Sequence, residues 1–297
     1  MNAIIYKLTI KVIISTYILN MQAKYPVHIT NDTIIVSMTS WPQRITLVAP
    51  ALYSIYNHTL PQNAIHLVLV LAIPEFPHKE LDLPIVLQKM IQAGIVELIW
   101  CDENWFSHKK LMPTLFKYPN NPILCCDDDV IRPHGWLECF YKDHLRFPHD
   151  VIAGTCCYQI GFDNDIFNPT KCVITNTADY AGTIMNCSRP ANGFGGILYP
   201  ANTFTDSRFF DTNLMMNLSA RSDECWQFCF NIIEHRTIRW LSKPYPYSML
   251  VQPNSQKTSM GQARVDGRIT SYNEIHDMLF NSIPEFKPAL IKWLNSR

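Results

Sequence analysis

Three consecutive carboxylates, Asp127-Asp128-Asp129, follow directly on four small apolar residues, Ile123, Leu124, Cys125 and Cys126, which are themselves preceded by the turn signal Asn121-Pro122. An apolar run of this length after a turn reads as a buried central strand of an α/β sheet. In an extended chain alternate residues share a side. Asp127 and Asp129 are therefore expected to converge, with Cα atoms roughly 6.5–7 Å apart and Asp128 facing the other way. Two carboxylates at the C-terminal edge of a strand suit a hard divalent cation, Mn²⁺ or Mg²⁺, that also holds phosphate oxygens. Without a cation their repulsion should raise at least one pKa. The competing reading is an acidic surface loop that caps the next helix. A second acidic pair, Asp223-Glu224, follows Ser222. As N-cap and first-turn residues of a helix these three have a complete structural explanation. Functionally, either acid could take a proton from an acceptor hydroxyl.

The surrounding pattern says what must position these groups. Residues 33–38, 65–71 and 96–100 read as strands, with helices over 46–57, 85–93 and 109–118 between them and the strand that ends at the triplet. Pro50 is expected to limit the start of the first helix, since proline is tolerated only near a first turn. This β-α-β-α-β-α-β order puts every polar cluster at a strand C-terminus, where open α/β sheets bind their ligands. Ser37 and Thr39 lie at the end of the first strand, followed by Arg44; Asp102 lies just after the third; Lys109 and Lys110 open the next helix. The cations could contact a diphosphate, and Asp102 a base or ribose. Each has a bland alternative, a cap for Asp102 and a solvated helix face for the lysines, and His108 beside them reads as a surface histidine. Further on, a helix is expected over 133–147, strands over 151–156 and 237–241, and helix over 274–295 broken near Pro284 and Pro288. A loop over 159–192 could shape an acceptor pocket, and 252–269 reads as a mobile loop. Gly193-Phe194-Gly195-Gly196 precedes a strand, so it is no dinucleotide fingerprint; it lets backbone approach a ligand closely or forms a tight turn.

The chain has 297 residues, 47% apolar and 17% charged, with 25 basic and 25 acidic side chains. Absent a basic excess, sequence-independent nucleic-acid binding has no support. The 10 cysteines contain no CxxC pair, and are read as reduced core residues of a cytosolic protein. Residues 1–30 form a leader whose apolar part, 1–22, is interrupted by Lys7 and Lys11 and too short in its clean run to span a bilayer; a short helix lying on a membrane surface is one alternative.

In order along residues 33 to 240, five segments carry a family likeness: 35–44, 109–115, the Asp127-Asp128-Asp129 triplet, 193–200, and Asp223-Glu224-Cys225-Trp226. Together they resemble family-2-like glycosyltransferases of the GT-A fold, of the type that builds bacterial surface polysaccharides. The resemblance implies a Rossmann-like mixed sheet over residues 31–250, with 251–297 as a C-terminal extension. It implies that Asp127 and Asp129 hold Mn²⁺ or Mg²⁺ with a nucleotide-sugar diphosphate, and that Ser37, Thr39, Arg44, Asp102, Lys109, Lys110 and Asp128 serve the donor. Gly193, Phe194, Gly195 and Gly196 would face a glycan or lipid-linked acceptor. Asp223 or Glu224 would act as base in an inverting transfer, at the cytoplasmic side or the inner membrane face. Many members carry two aspartates at that pair, so this chain departs from the pattern there. A nucleotidyltransferase on a related sheet should carry a glycine-rich loop after the first strand, and residues 39–44 contain no glycine. The contrasting class is a non-catalytic module that binds nucleotide or glycan.

Overall fold

Strand β1 (Ile34–Thr39) is nearly all buried, and its side chains divide by the alternation of an extended chain. Ile34, Val36 and Met38 enter one hydrophobic cluster and Ile35 the other. A strand apolar on both faces belongs in the middle of a covered sheet. The computed structural model describes residues 28–61, 63–154, 158–160, 172–174, 181–185, 190–191, 193–243, 250–258 and 272–296. In it β1 pairs in parallel with β2 (Ile65–Ala72) on one side and β4 (Ile123–Cys125) on the other. Beyond β2 lies β3 (Glu97–Cys101), also parallel. Two further strands, β6 (Val151–Ala153) and β9 (Ile197–Tyr199), continue past β4, with β10 (Ile238–Trp240) at the far edge. The seven-stranded order is β10-β6-β9-β4-β1-β2-β3. Only β9 runs antiparallel to its neighbours β4 and β6. The expected α/β class and the mixed, mostly parallel sheet are observed.

Helices α1 (Ile45–Tyr56), α2 (Ile85–Gln92) and α4 (Trp136–Arg146) pack on one face. The other face carries α3 (Met112–Lys117), α5 (Thr212–Ser219), α6 (Asp223–Ile233) and the C-terminal pair α7 (Tyr272–Ser282) and α8 (Phe286–Asn295). Phe228 of α6 lies 6.3 Å from Phe286 and 6.1 Å from Trp293. The C-terminal helices therefore share the core of the helix that begins with the second acidic pair. A two-stranded ribbon, β5 (Val130–Ile131) with β11 (Leu250–Val251), sits just beyond the triplet, and β7 (Tyr158–Ile160) pairs with β8 (Cys172–Ile174).

Several expectations shift. Helix α1 continues through Pro50, which forgoes one backbone bond. Residues 109 and 110 are not helical in the α sense: a 3₁₀ turn covers Phe106–Lys110 before α3 begins. Helix α4 starts after Gly135, whose φ of +88° ends the preceding turn, three residues later than Pro133 suggested. Gln252 is buried rather than mobile: its backbone N–H donates to the Asp129 carbonyl at 2.8 Å and its amide to Leu47 O at 2.7 Å. All six cysteines whose side chains are described are buried, as core residues are. Among the described residues no helix is long and apolar enough to cross a membrane. The leader 1–27, most of the 159–192 loop and residues 259–271 lie outside the described residues.

Candidate active site

Strand β4 stops at Cys125, so the alternation that would have aimed Asp127 and Asp129 together does not reach them. Backbone partners impose a turn instead. Asp127 N–H donates to Gly193 O at 3.2 Å, and the buried Arg132 guanidinium donates through Nη1 to the carbonyls of Asp127 and Val130 at 3.2 and 3.0 Å. The triplet is thereby split. Asp128 and Asp129 are 5% and 4% exposed and both bind Arg44, whose Nη2 lies 2.6 Å from Asp128 Oδ1 and 2.8 Å from Asp129 Oδ2. Ser40 Oγ donates to the other Asp128 oxygen at 2.6 Å. Burial pushes Asp128 up to about 6, against the pull of Arg44 and the Ser40 hydrogen bond.

Asp127 engages another cation. Its Oδ1 lies 2.9 Å from Lys110 Nζ, and the same ammonium is 3.3 Å from Asp223 Oδ2 at the start of α6. Lys110 is 5% exposed. Burial would by itself strip its proton, but Asp127, Asp223 and Glu224 together hold its pKa well above the ordinary lysine value. Asp223 is likewise buried, a condition that raises a carboxyl pKa, yet Lys110 holds it below the usual aspartate value. Ser222 caps α6 as its sequence predicts, accepting from Cys225 N–H at 3.4 Å. Glu224, one residue on, is only half-buried and accepts from Gly193 N–H through Oε1 at 3.4 Å. The two acids thus differ in setting: Asp223 is buried against Lys110, while Glu224 is half-buried.

Gly193 joins these groups. A Cβ built on it would stand 2.4 Å from Asp127 Oδ1 and 2.8 Å from Lys110 Nζ, so any larger residue displaces the pair as it stands. Gly196, at φ +87°, turns the chain into β9 against the Trp136 ring, and Gly195 O accepts from Trp136 Nε1 at 3.0 Å. The glycine-rich segment is therefore first a packing device; Gly193 abuts the charged cluster, and the half-buried Phe194 packs against the hydrophobic cluster of the opposite face. Gly193→Ala is expected to force the Asp127–Lys110 pair apart and to lower stability by about 1–3 kcal/mol, as overpacking does. Urea unfolding of the variant checks this.

The remaining expected donor residues are scattered in their duties. Ser37 is fully buried, its hydroxyl 2.7 Å from Thr114 Oγ1. Thr39 donates to Val70 O at 2.7 Å. Lys109 is buried against Glu75 and not on a solvated face. His108 is 1% exposed, not at the surface, and lies 2.8 Å from Ser219 O through Nε2; burial pushes its pKa down. Asp102 stands exposed at the end of β3. Glu75 had no place in the sequence reading, because it acts through Lys109, distant in the chain. Among the described residues no group of three or more His, Cys, Asp or Glu side chains is arranged to hold a metal. Asp127 and Asp129 answer to different cations, so as arranged they offer no paired opening to Mn²⁺ or Mg²⁺.

No protein-family model matches the chain, and no curated protein matches it. Among solved structures the chain is similar to Staphylococcus aureus TarS residues 1–349 in complex with UDP, at 12% identity and a TM-score of 0.52, over 89% of this chain and 71% of that one. It also matches the same TarS segment without UDP, at 11% identity and a TM-score of 0.47, over 89% and 73%. The likeness to the UDP complex shows the fold, the GT-A architecture that the sequence resemblance implied.

Proposed function

We propose that this protein is a glycosyltransferase that moves a sugar from a nucleoside diphosphate donor to a hydroxyl of a glycan or lipid-linked acceptor, with inversion. The observation that carries the reading is a buried ammonium, Lys110, held between Asp127 and Asp223 at the C-terminal edge of the parallel strands, with the half-buried Glu224 next in the chain after Asp223. A cation fixed at a sheet edge by two acids is preorganised to meet the charge that develops on a departing diphosphate. An acid alongside is what an attacking hydroxyl needs. Glu224 takes the acceptor proton in this reading, and Asp223 holds Lys110 in position. A GT-A sheet in common with a structure described as a UDP complex supports uridine nucleotides as the first donors to try.

Incubation with a panel of nucleotide sugars, UDP-sugars first, tests the reading. One donor should release its nucleoside diphosphate well above the enzyme-free rate. No release from any donor would contradict it, and pyrophosphate release from a nucleoside triphosphate would mark nucleotidyl transfer instead.

A further inference from the structure

We propose that Lys110 occupies the place of a divalent cation in this site, so that the donor diphosphate is bound without metal. This rests on the nucleotide-sugar reading above and goes beyond it. Two carboxylates hold the ammonium. Asp127 Oδ1 is at 2.9 Å and Asp223 Oδ2 at 3.3 Å, and Glu224 also acts on its charge. Paired acids at a sheet edge are what would recruit a hard cation. Here Nζ stands between them, and Gly193 is pressed so close that a single added carbon would collide with both Lys110 and Asp127. The remaining acids of the triplet are no substitute, since Asp128 and Asp129 are turned onto Arg44. Each carboxylate that the divalent-ion reading required therefore already carries a partner from within the chain.

The chemistry balances with these groups alone. The bond between the sugar anomeric carbon and the donor phosphate oxygen breaks, leaving its electron pair on that oxygen. The acceptor oxygen bonds to the anomeric carbon, and its proton passes to Glu224. Lys110 keeps its proton throughout and stabilises the new phosphate charge as a hydrogen-bond donor.

The test uses the full chain, stripped of metal with EDTA, and two probes, UDP and Mn²⁺ alone. Calorimetry with UDP should give the same affinity within about twofold in EDTA and in Mn²⁺, and electron paramagnetic resonance should find no Mn²⁺ bound to the wild-type protein at micromolar concentrations. Lys110→Ala vacates the space between Asp127 and Asp223, and is expected to bind Mn²⁺ at least tenfold more tightly than wild type while losing UDP affinity tenfold or more in EDTA. Should that variant fail to fold by circular dichroism, the wild-type arms still decide, with Lys110→Ala combined with Asp223→Asn as the second variant. A tenfold loss of wild-type UDP affinity on chelation, or wild-type Mn²⁺ binding as tight as the variant's, overturns the proposal and leaves the glycosyltransferase reading standing. UDP failing to bind under every condition counts against that reading instead, while the Mn²⁺ comparison still decides the role of Lys110.

Discussion

Glu224→Gln is expected to slow sugar transfer roughly 10²–10⁴-fold, the span that a positioned general base contributes, while leaving nucleotide affinity and stability close to wild type. Glutamine keeps the shape and can still accept from the Gly193 N–H that Glu224 Oε1 contacts at 3.4 Å. It cannot accept a proton from an acceptor hydroxyl. The neighbouring acid should behave differently. Asp223 is buried and pairs with Lys110 at 3.3 Å, so Asp223→Asn loosens the ammonium and should show chiefly as weakened donor binding. Steady-state kinetics that separate kcat from KM distinguish the two. A Glu224→Gln protein at the wild-type rate, with Asp223→Asn inactive, would reverse the assignment.

Arg44→Ala is expected to cost about 3–5 kcal/mol at neutral pH, the range for removing one partner of a buried ion pair. The loss strands two carboxylates, because Arg44 Nη2 serves both Asp128 and Asp129. The pH dependence has a definite sign. Burial lifts Asp128 from 3.8 to about 6, so the folded state holds that proton more tightly than the unfolded chain does. Its contribution to stability is present below about pH 3.8 and is lost as pH rises through 6. Removing Arg44 leaves the desolvation opposed only by the Ser40 hydrogen bond and pushes this acid further up. The destabilisation should therefore be largest above pH 6 and shrink toward pH 4.5, where the stranded acid is protonated. Urea unfolding at several pH values measures it, and Asp128→Asn with Asp129→Asn in the Arg44→Ala background should recover most of the loss.

The sheet was legible because β1, β2 and β4 are short apolar runs bounded by turn residues, and a strand buried on both faces leaves that mark in any sequence. The start of α6 was legible for a local reason too, since Ser222 and the acids after it satisfy the helix's own first turn. What escaped was set at long range. Nothing near Asp127 says that β4 ends two residues before it; the turn is imposed by the Gly193 carbonyl and by Arg132. Lys109 and Lys110 looked like a helix face because their burial depends on Glu75, Asp127 and Asp223, each far away in the chain. Gln252 lies in a polar stretch that reads as loop, and only its pairing with Asp129 and Leu47 orders it.

Determining the structure of the protein crystallised with UDP tests the account most directly. The β-phosphate is predicted to lie within hydrogen-bond reach, about 3 Å, of Lys110 Nζ, with Glu224 open to the side from which an acceptor would approach. A nucleotide bound away from the Lys110, Asp127 and Asp223 cluster, or none bound at saturating concentration, would contradict it.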